Sequence, residues 1–172
     1  YAIGDIAGGP QFTHVANYHA GLVMRALLFR LPVRTNHDIL PHVTFTDPEV
    51  GQVGLTEAQA KERGLAVEML RWPYAENDRA QAERRTEGLV KLVVGKRGKI
   101  VGAGVAGAQA GEITNLLSLV VGRGLTVAAL RDFVSPYPTL SEIGKRAATA
   151  YYQPYTRRPL VRRAVAFLQR FG

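Results

Sequence analysis

The stretch "GLVKLVVGKRGKIVGAGVAG", residues 88–107, constrains the fold more than any other part of the chain. It holds two strand-like runs, Leu89–Val94 and Lys99–Val105, which are separated by the short segment "GKRGK". Gly95 and Gly98 in that segment suit the backbone angles of a hairpin turn. The stretch therefore predicts two neighbouring antiparallel strands and, with them, an antiparallel sheet.

The second strand of this hairpin contains Gly102-x-Gly104-x-x-Gly107, which fits the dinucleotide-binding fingerprint letter for letter. That fingerprint requires a tight strand–turn–helix and an acidic residue about 20 positions further on. Here apolar residues continue the strand through the glycines, the next helix begins only near Gly111, and residues 120–130 contain no acid. We therefore interpret the glycines as part of a strand packed closely under a helix, and we expect no nucleotide at this place.

Further strands and short helices surround the hairpin. "HVTFTD" and "LAVEMLRW" have the composition or the alternation of strands. "TEAQAKERG" predicts a short helix with Thr56 as its N-cap and Gly64 as its stop. Helical patterns then follow in "GEITNLLSLVVGRGL", "TVAALRD" and "TLSEIGKRAATAYY". Strands in antiparallel neighbours, with helices grouped after them, predict an α+β fold: an antiparallel sheet flanked by helices.

The first forty residues differ in character from the rest. Residues 11–31 predict one helix, with Thr13 as its candidate N-cap. A connector with Pro32 and Pro41 then breaks the pattern, which marks a candidate domain boundary. The chain begins with Tyr1, inside an apolar run, and not with Met. We interpret it as the C-terminal piece of a longer polypeptide.

Composition excludes several kinds of site. The chain has no cysteine, so a disulfide framework, a thiolate metal site and a thiol nucleophile are excluded within it. The net charge of +8 is unevenly placed: residues 145–172 carry seven basic side chains and no acid, whereas residues 1–144 carry 15 basic and 14 acidic ones. The high isoelectric point therefore describes a basic tail and does not indicate a nucleic-acid-binding domain.

The tail has a second property besides its charge. In "RRPLVRRAVAFLQRF" an apolar helical stripe runs opposite the arginines. The stripe consists of Leu160, Val161, Ala164, Phe167, Leu168 and Phe171. Three interpretations are open: docking on the protein's own surface, reversible contact with a membrane surface, or a site for an acidic partner. Of these we expect docking.

Four stretches, taken in order, resemble one family. They are "YAIGD", "PHVTFTDPEVGQVGLTE", "GKIVGAGVAGAQAGEIT" and "SPYPTLSE", and together they cover residues 1 to about 150. They are similar to the C-terminal region of the class I pyridine nucleotide-disulfide oxidoreductases, which include dihydrolipoamide dehydrogenase, glutathione reductase and mercuric reductase. The resemblance implies three parts: the end of an FAD-binding domain (1–40), an interface or dimerisation domain (41–155), and a basic amphipathic extension (156–172).

The resemblance also implies cofactor contacts. In the family, the acid that matches Asp5 hydrogen-bonds the ribityl chain of FAD, although such an acid can also cap a local turn. The residues that match Gln11, Phe12, Thr13 and His14 open a helix whose N-terminal N–H groups point at the flavin. Those contacts are largely made by the backbone, so the His14 imidazole need not do chemistry. NAD(P)H is the implied co-substrate, neither cofactor is expected to bind tightly to this chain alone, and no metal site is expected.

The segment "YPTLSE" departs from the family. In the thiol–disulfide branch a histidine precedes the proline and an acid follows five positions later, and the two form a dyad across the dimer interface. Glu142 keeps the acid, but Tyr137 replaces the histidine. A tyrosine, with a pKa near 10, is a poor base at neutral pH but can donate a hydrogen bond. A local alternative is that Thr139 caps a helix and Glu142 completes a capping box.

A tyrosine at this place resembles the mercuric reductase branch, although the chain ends "FLQRFG", without that branch's paired cysteines. The resemblance implies the dimerisation domain of an FAD- and NAD(P)H-dependent disulfide oxidoreductase. This domain would be inert alone and would complete the partner's active site in a cytoplasmic homodimer. The substrate would be a small molecule, a disulfide or a metal ion, with no nucleic acid or membrane as partner. The alternatives are dihydrolipoamide dehydrogenase, or a free-standing module whose basic tail binds nucleic acid or anionic membrane.

Overall fold

The computed structural model describes residues 1–170, and Phe171 and Gly172, including the last residue of the predicted stripe, lie outside the described residues. The described part contains a five-stranded sheet of order β1-β2-β5-β4-β3, in which every neighbouring pair is antiparallel. The strands are β1 (His42–Thr44), β2 (Glu49–Gly54), β3 (Glu68–Pro73), β4 (Gly88–Val94) and β5 (Ile100–Gly107). The predicted α+β class is confirmed.

Eight α-helices accompany the sheet in the described residues. They are α1 (Thr13–Phe29), α2 (Glu57–Glu62), α3 (Asp78–Glu83), α4 (Ala110–Gly122), α5 (Val127–Asp132), α6 (Glu142–Ala150), α7 (Gln153–Thr156) and α8 (Pro159–Leu168). Helix α4 packs on β2 and β5, and α6 packs on β3 and β4, so the two helices cover one face of the sheet. In residues 1–170, no helix combines the length and the apolar character that crossing a bilayer requires.

The predicted hairpin is confirmed. Strands β4 and β5 pair antiparallel, with Val90 opposite Val105 and Lys91 opposite Gly104. They are joined by a single 3-10 turn, in which Gly98 has the expected left-handed φ, 73°, whereas Gly95 is extended at −93° and Arg97 takes the second left-handed position at 56°. Such left-handed angles are the ones that favour glycine in tight turns. Local turn chemistry thus determines the centre of the sheet.

The glycine fingerprint lies inside β5, as predicted, and each glycine meets protein. A Cβ on Gly102 would lie 1.9 Å from the carbonyl oxygen of Leu55. One on Gly104 would lie 2.8 Å from Oε1 of Gln52, and one on Gly107 would lie 2.5 Å from the ring of Tyr74. Gly102 and Gly107 are needed because backbone atoms and the buried Tyr74 ring approach them closely, whereas Gly104 faces only the end of the flexible Gln52 side chain.

The main core fills the space between the sheet and the helices. Its largest buried side chains come from the centre of the sheet, from α4, from α6 and from the turn after β3: Leu92, Ile100, Leu117, Ile143 and Tyr74. A second, smaller cluster of Leu55, Ala60 and Val93 lies on the other face, under α2. Because side chains alternate along a strand, Val93 points away from the face that Leu92 occupies.

Helix ends differ from the predictions at two places. Helix α2 has the predicted N-cap, since Thr56 and Gln59 form a complete capping box, and Gly64 follows it with φ of +67°. Helix α1, however, has Phe12 as its N-cap without a side-chain hydrogen bond, and Thr13 is its first helical residue. The capping box predicted for Thr139 and Glu142 is also wrong, because the Thr139 hydroxyl donates to the carbonyl oxygen of Pro136 instead.

The basic tail folds as two helices, α7 and α8, that stand away from the core. Every described residue of α8 is exposed, and the helix buries none of its side chains. Docking on the chain's own surface, which we expected, is therefore not what the structure shows. The described apolar side chains of the tail, such as Leu160 and Leu168, are exposed.

Candidate functional site

A cleft of about 620 Å³ lies at the start of α1. Its walls come from α1, from the connector that leads into β1, and from the first turns of α4. Three of the residues that the sequence singled out, Phe12, Thr13 and His14, line it, whereas Asp5 and Gln11 do not. On the opposite wall stand Glu112 and Asn115 of α4.

Aromatic rings form one side of this cleft. The ring of Phe12 stacks on that of His14, with centroids 5.2 Å apart, and on that of His42, at 6.3 Å. Nε2 of His14 lies 2.7 Å from the carbonyl oxygen of Pro41. A carbonyl only accepts, so Nε2 carries the hydrogen in this contact. The imidazole therefore ties α1 to the start of β1.

The electrostatics at the start of α1 favour negative charge. This 17-residue helix has no acid in its first turn and no side chain that caps its N-terminus. The first N–H groups of a helix have no partner within the helix, and the macrodipole adds positive potential there. An anionic or polarised group placed at this end would be stabilised.

Asp5 lies in a 3-10 turn, Gly4–Ala7, that is attached to the same helix. The N–H of Gly4 donates to Nδ1 of the buried His19, at 3.3 Å. Gly4 has φ of +69°, and a Cβ there would lie 3.2 Å from that of Ala16. The turn is thus held against the middle of α1, while the Asp5 side chain remains exposed.

The second set of predicted residues lies in the loop before α6. Tyr137 precedes Pro138 through a cis peptide bond, and its side chain is 70% exposed. Its hydroxyl donates to Oδ2 of Asp78, at 3.0 Å. This hydrogen bond to a carboxylate, with the nearby negative charges, raises the pKa of Tyr137 above its usual value. At neutral pH Tyr137 is therefore a protonated donor and not a base.

Glu142 begins α6 and is the more sheltered of the two residues. Oε1 of its carboxylate lies 3.1 Å from Nη2 of Arg146, one turn later, and the side chain is 15% exposed. The negative charge of Glu142 also contributes to the raised pKa of Tyr137, so the two side chains lie within electrostatic reach of each other. The two side chains have different direct partners, Asp78 for Tyr137 and Arg146 for Glu142.

Two residues that the sequence reasoning missed position this loop. The side chain of Asn77 is buried; its oxygen accepts from the N–H of Ala80 at the start of α3, and its nitrogen donates to the carbonyl oxygen of Thr139 at 3.1 Å. Asp78 follows and receives the Tyr137 hydroxyl. An Asn-Asp pair before "RAQAE" carries an N-cap signal, but nothing in it indicates the loop some 60 residues away.

Helix α4 stands between the two predicted sets. Glu112 and Asn115 line the α1 cleft and also a second cleft, of about 530 Å³, whose far wall includes Thr139 and Ser141 of the Tyr137 loop. Neither Tyr137 nor Glu142 lines the α1 cleft. The two predicted sets of residues therefore lie in different places on a single chain. Among the described residues, no group of three or more histidine or acidic side chains is arranged to hold a metal ion.

Comparison with known proteins gives a consistent picture. A family profile described as "Pyridine nucleotide-disulphide oxidoreductase, dimerisation domain" matches residues 40–148. Mercuric reductase from Bacillus cereus is 41% identical over 152 residues, which are 88% of this chain and 24% of that protein. Dihydrolipoyl dehydrogenase from Bacillus subtilis is 39% identical over 149 residues, which are 86% of this chain and 32% of that protein.

Solved structures agree with the sequence relatives. LpdA from Mycobacterium tuberculosis superposes with a TM-score of 0.82 at 25% identity, over 88% of this chain and 33% of that one. The HOCl-induced flavoprotein disulfide reductase RclA from Escherichia coli gives a TM-score of 0.77 at 29% identity, over 87% of this chain and 35% of that one. The chain thus spans about a third or less of the length of the curated relatives that it matches.

Proposed function

Because the chain belongs to the pyridine nucleotide-disulphide oxidoreductase family and contains that family's dimerisation domain, we propose that it works inside a longer, homodimeric flavoprotein. In that dimer, the Tyr137 loop of one subunit completes the site that begins at α1 of the other. The observation that carries this proposal is that Tyr137 and Glu142 do not line the α1 cleft of their own chain. Alone, the chain would be catalytically inert. We place the enzyme in the cytoplasm, where NAD(P)H is the usual reductant.

The start of α1 fits an FAD. Uncapped N–H groups at a helix N-terminus suit the part of a reduced flavin where negative charge builds up. By family resemblance, Gln11, Phe12, Thr13 and His14 would face the ring, and Asp5 would hold the ribityl chain. The chemistry that FAD supplies when bound is the passage of electrons from NAD(P)H to a redox disulfide. His14 would position the helix start through its contact with Pro41, without transferring a proton.

Tyr137 and Glu142 would act on the substrate side of the partner's site. The hydroxyl of Tyr137 is kept protonated by Asp78, so Tyr137 would line the substrate pocket, or would exchange its bond to Asp78 for one donated to the substrate. It would not take a proton from a thiol, as the histidine does in the thiol–disulfide branch. Glu142, paired with Arg146, would orient the neighbouring groups.

We propose a mercuric-reductase-like enzyme, with dihydrolipoyl dehydrogenase as the second candidate. The two kinds of relative match at 41% and 39% identity, so overall identity does not separate them. The tyrosine at position 137 favours the mercuric reductase branch. A free-standing module with a nucleic-acid-binding tail is not favoured, because the family profile covers residues 40–148, most of the chain.

Sedimentation velocity tests the dimerisation step on the 172-residue chain. We expect a dimer in the micromolar range, because a stable interface of about 1,600 Å² is usual for such assemblies. Exposed apolar side chains near the loop, such as Leu119 (58% exposed) and Val134 (85%), are available for it. A chain that remains monomeric at high micromolar concentration would contradict the proposal.

Mixed dimers of the full-length protein test the shared site. One subunit carries Asp5→Ala, and the other carries Tyr137→Phe with Glu142→Gln. If the site is shared across the interface, each mixed dimer contains one intact site, and random mixing restores about a quarter of wild-type activity. The assay is NAD(P)H-dependent reduction of mercuric ion, with lipoamide as the alternative substrate. If mixing restores no activity while each homodimer remains folded, the site is not shared in this way.

A further inference from the structure

Helix α8 is amphipathic along its whole length and stands free of the domain core. Leu160, Val161, Ala164, Val165 and Leu168 follow the spacing i, i+1, i+4, i+5, i+8, which gathers them on one face of a helix. Their exposure is high for apolar side chains: 77% for Leu160 and 67% for Leu168. A soluble domain rarely leaves a contiguous apolar stripe of this kind uncovered without a use for it.

The charges on the other face complete the pattern. At 100° per residue, Arg162 and Arg163 each lie about 60° beyond an edge of the stripe, on the two sides of the polar face. Counting from Lys145 to the end of the chain, every charged side chain is basic. The stripe and the arginines together therefore fit a binding surface that has an apolar interior and a negatively charged outer part.

Aromatic contacts hold the segment that joins the tail to the domain, so α8 begins at a defined position. The rings of Tyr151, Tyr152 and Tyr155 contact one another, with centroids 5.1 to 6.3 Å apart. The guanidinium of Arg131, in α5, lies 4.4 Å from the Tyr152 ring, and that of Arg158 lies 4.5 Å from the Tyr155 ring. These cation–π and aromatic contacts connect α7 to the domain and lead directly into α8.

We propose that α8 binds the surface of an anionic lipid membrane, lying in the headgroup region with its apolar stripe toward the acyl chains. Long arginine side chains at the edge of the stripe reach the lipid phosphates from that position. A wholly apolar protein groove would take up the stripe but leave the arginines without a partner, and a nucleic acid would take up the arginines but leave the leucines in water. A membrane surface satisfies both faces at once.

The tail lies outside the residues that the family profile matches. The dimerisation profile ends at residue 148, before α7 and α8 begin. Our sequence-based expectation that the tail docks on its own chain, and that no membrane is involved, is replaced by this proposal. The tail would hold the enzyme at the membrane surface without spanning the bilayer.

Vesicle co-sedimentation of the 172-residue chain tests the proposal, with vesicles of phosphatidylcholine alone or mixed with phosphatidylserine. We expect binding only to the mixed vesicles, and weaker binding in high salt. Replacing Arg162 and Arg163 with Gln should lower the partition coefficient about fivefold for each charge removed. Leu160→Ser with Leu168→Ser should lower it about tenfold or more. The matched control, Ala166→Ser with Gln169→Ser on the polar face, should leave it unchanged.

Because α8 buries no side chain, these variants should keep the fold, and circular dichroism and sedimentation velocity verify this. Absence of binding to the mixed vesicles would overturn the proposal. Binding that survives Leu160→Ser with Leu168→Ser would also overturn it, because the apolar stripe would then make no contribution. So would binding that duplex DNA abolishes equally in the wild-type chain and in this double variant, because charge alone would then explain the binding. In the full-length holoenzyme, strong hydrogen-exchange protection of residues 159–168 without vesicles would show that another part of the protein covers the helix.

Discussion

The substitution Gly102→Ala separates packing from nucleotide binding as the reason for the glycines in β5. An added methyl group would lie 1.9 Å from the carbonyl oxygen of Leu55 and 2.7 Å from its nitrogen. Both are backbone atoms, and the same Leu55 nitrogen donates to the carbonyl oxygen of Val101 at 2.9 Å. Relieving the clash therefore moves β5 away from the segment after β2 and breaks that hydrogen bond.

The magnitude follows from these contacts. Overpacking against atoms that cannot rotate away costs about 3 kcal/mol, the upper part of its usual range. The lost hydrogen bond adds about 1 kcal/mol, and removing the backbone freedom of a glycine returns about 1 kcal/mol. We expect Gly102→Ala to lower the free energy of unfolding by about 3 kcal/mol, which moves a urea midpoint by about 1.5 M at a slope of about 2 kcal/mol/M.

Urea denaturation followed by circular dichroism measures the effect on the 172-residue chain. Gly122→Ala is the matched control, because a Cβ at that exposed end of α4 meets nothing within 4 Å. It should be neutral or slightly stabilising, since alanine favours helix more than glycine does. A loss below about 1 kcal/mol for Gly102→Ala would refute the packing argument. Specific binding of NADH to the 172-residue chain that Gly102→Ala abolishes would revive the nucleotide interpretation.

Two further predictions concern the Tyr137 loop. Replacing Asp78 with Asn should lower the raised pKa of Tyr137 toward its ordinary value near 10, because the carboxylate no longer favours the protonated phenol. The stability that this bond gives is present below pH about 10 and is lost as the pH rises through the raised pKa, so Asp78→Asn should matter least in strong alkali. Phenolate absorbance, measured as a difference from Tyr137→Phe, reports the titration, and an unchanged pKa would contradict the assignment. Asn77→Ala removes the cap of α3 and the bond to Thr139 and should cost about 2 kcal/mol in urea unfolding. Asn77→Asp should keep the cap and lose only the bond to Thr139, so it should cost less; equal losses would mean that the cap of α3 has no weight.

Much of the fold could be predicted from the sequence because its signals are local. The hairpin turn, the Thr56 cap and the course of the strand through Gly102 each depend on residues within a few positions. Strand β2 is harder to recognise in the sequence, because "EVGQVG" includes two glycines that weaken a strand pattern. Gly51 is there because a Cβ would lie 2.0 Å from the hydroxyl of Thr114, a contact that only the packed α4 creates.

The residues of the candidate site also divide into those that the sequence predicts and those that it does not. Tyr137 and Glu142 could be named from the segment "YPTLSE" by family resemblance, and both lie in or directly after the loop that precedes α6. Their supporting residues, Asn77 and Asp78, are joined to the loop by tertiary hydrogen bonds across about 60 positions. The capping box predicted at Thr139 was wrong for a related reason, since the hydroxyl that would have capped α6 is used inside the loop. A local sequence pattern does not show whether such a hydroxyl caps the helix or bonds within the loop.

The glycines of β5 also have an evolutionary consequence. A side chain at position 104 would meet only the end of the Gln52 side chain, which can move aside or be replaced. Position 104 should therefore vary among homologues in step with position 52. At position 102 the obstacle is the backbone of residue 55, which no substitution removes, so this glycine should persist whatever stands at position 55. The motif thus contains one position that can covary with its neighbour and one that cannot, and aligned homologues can distinguish the two.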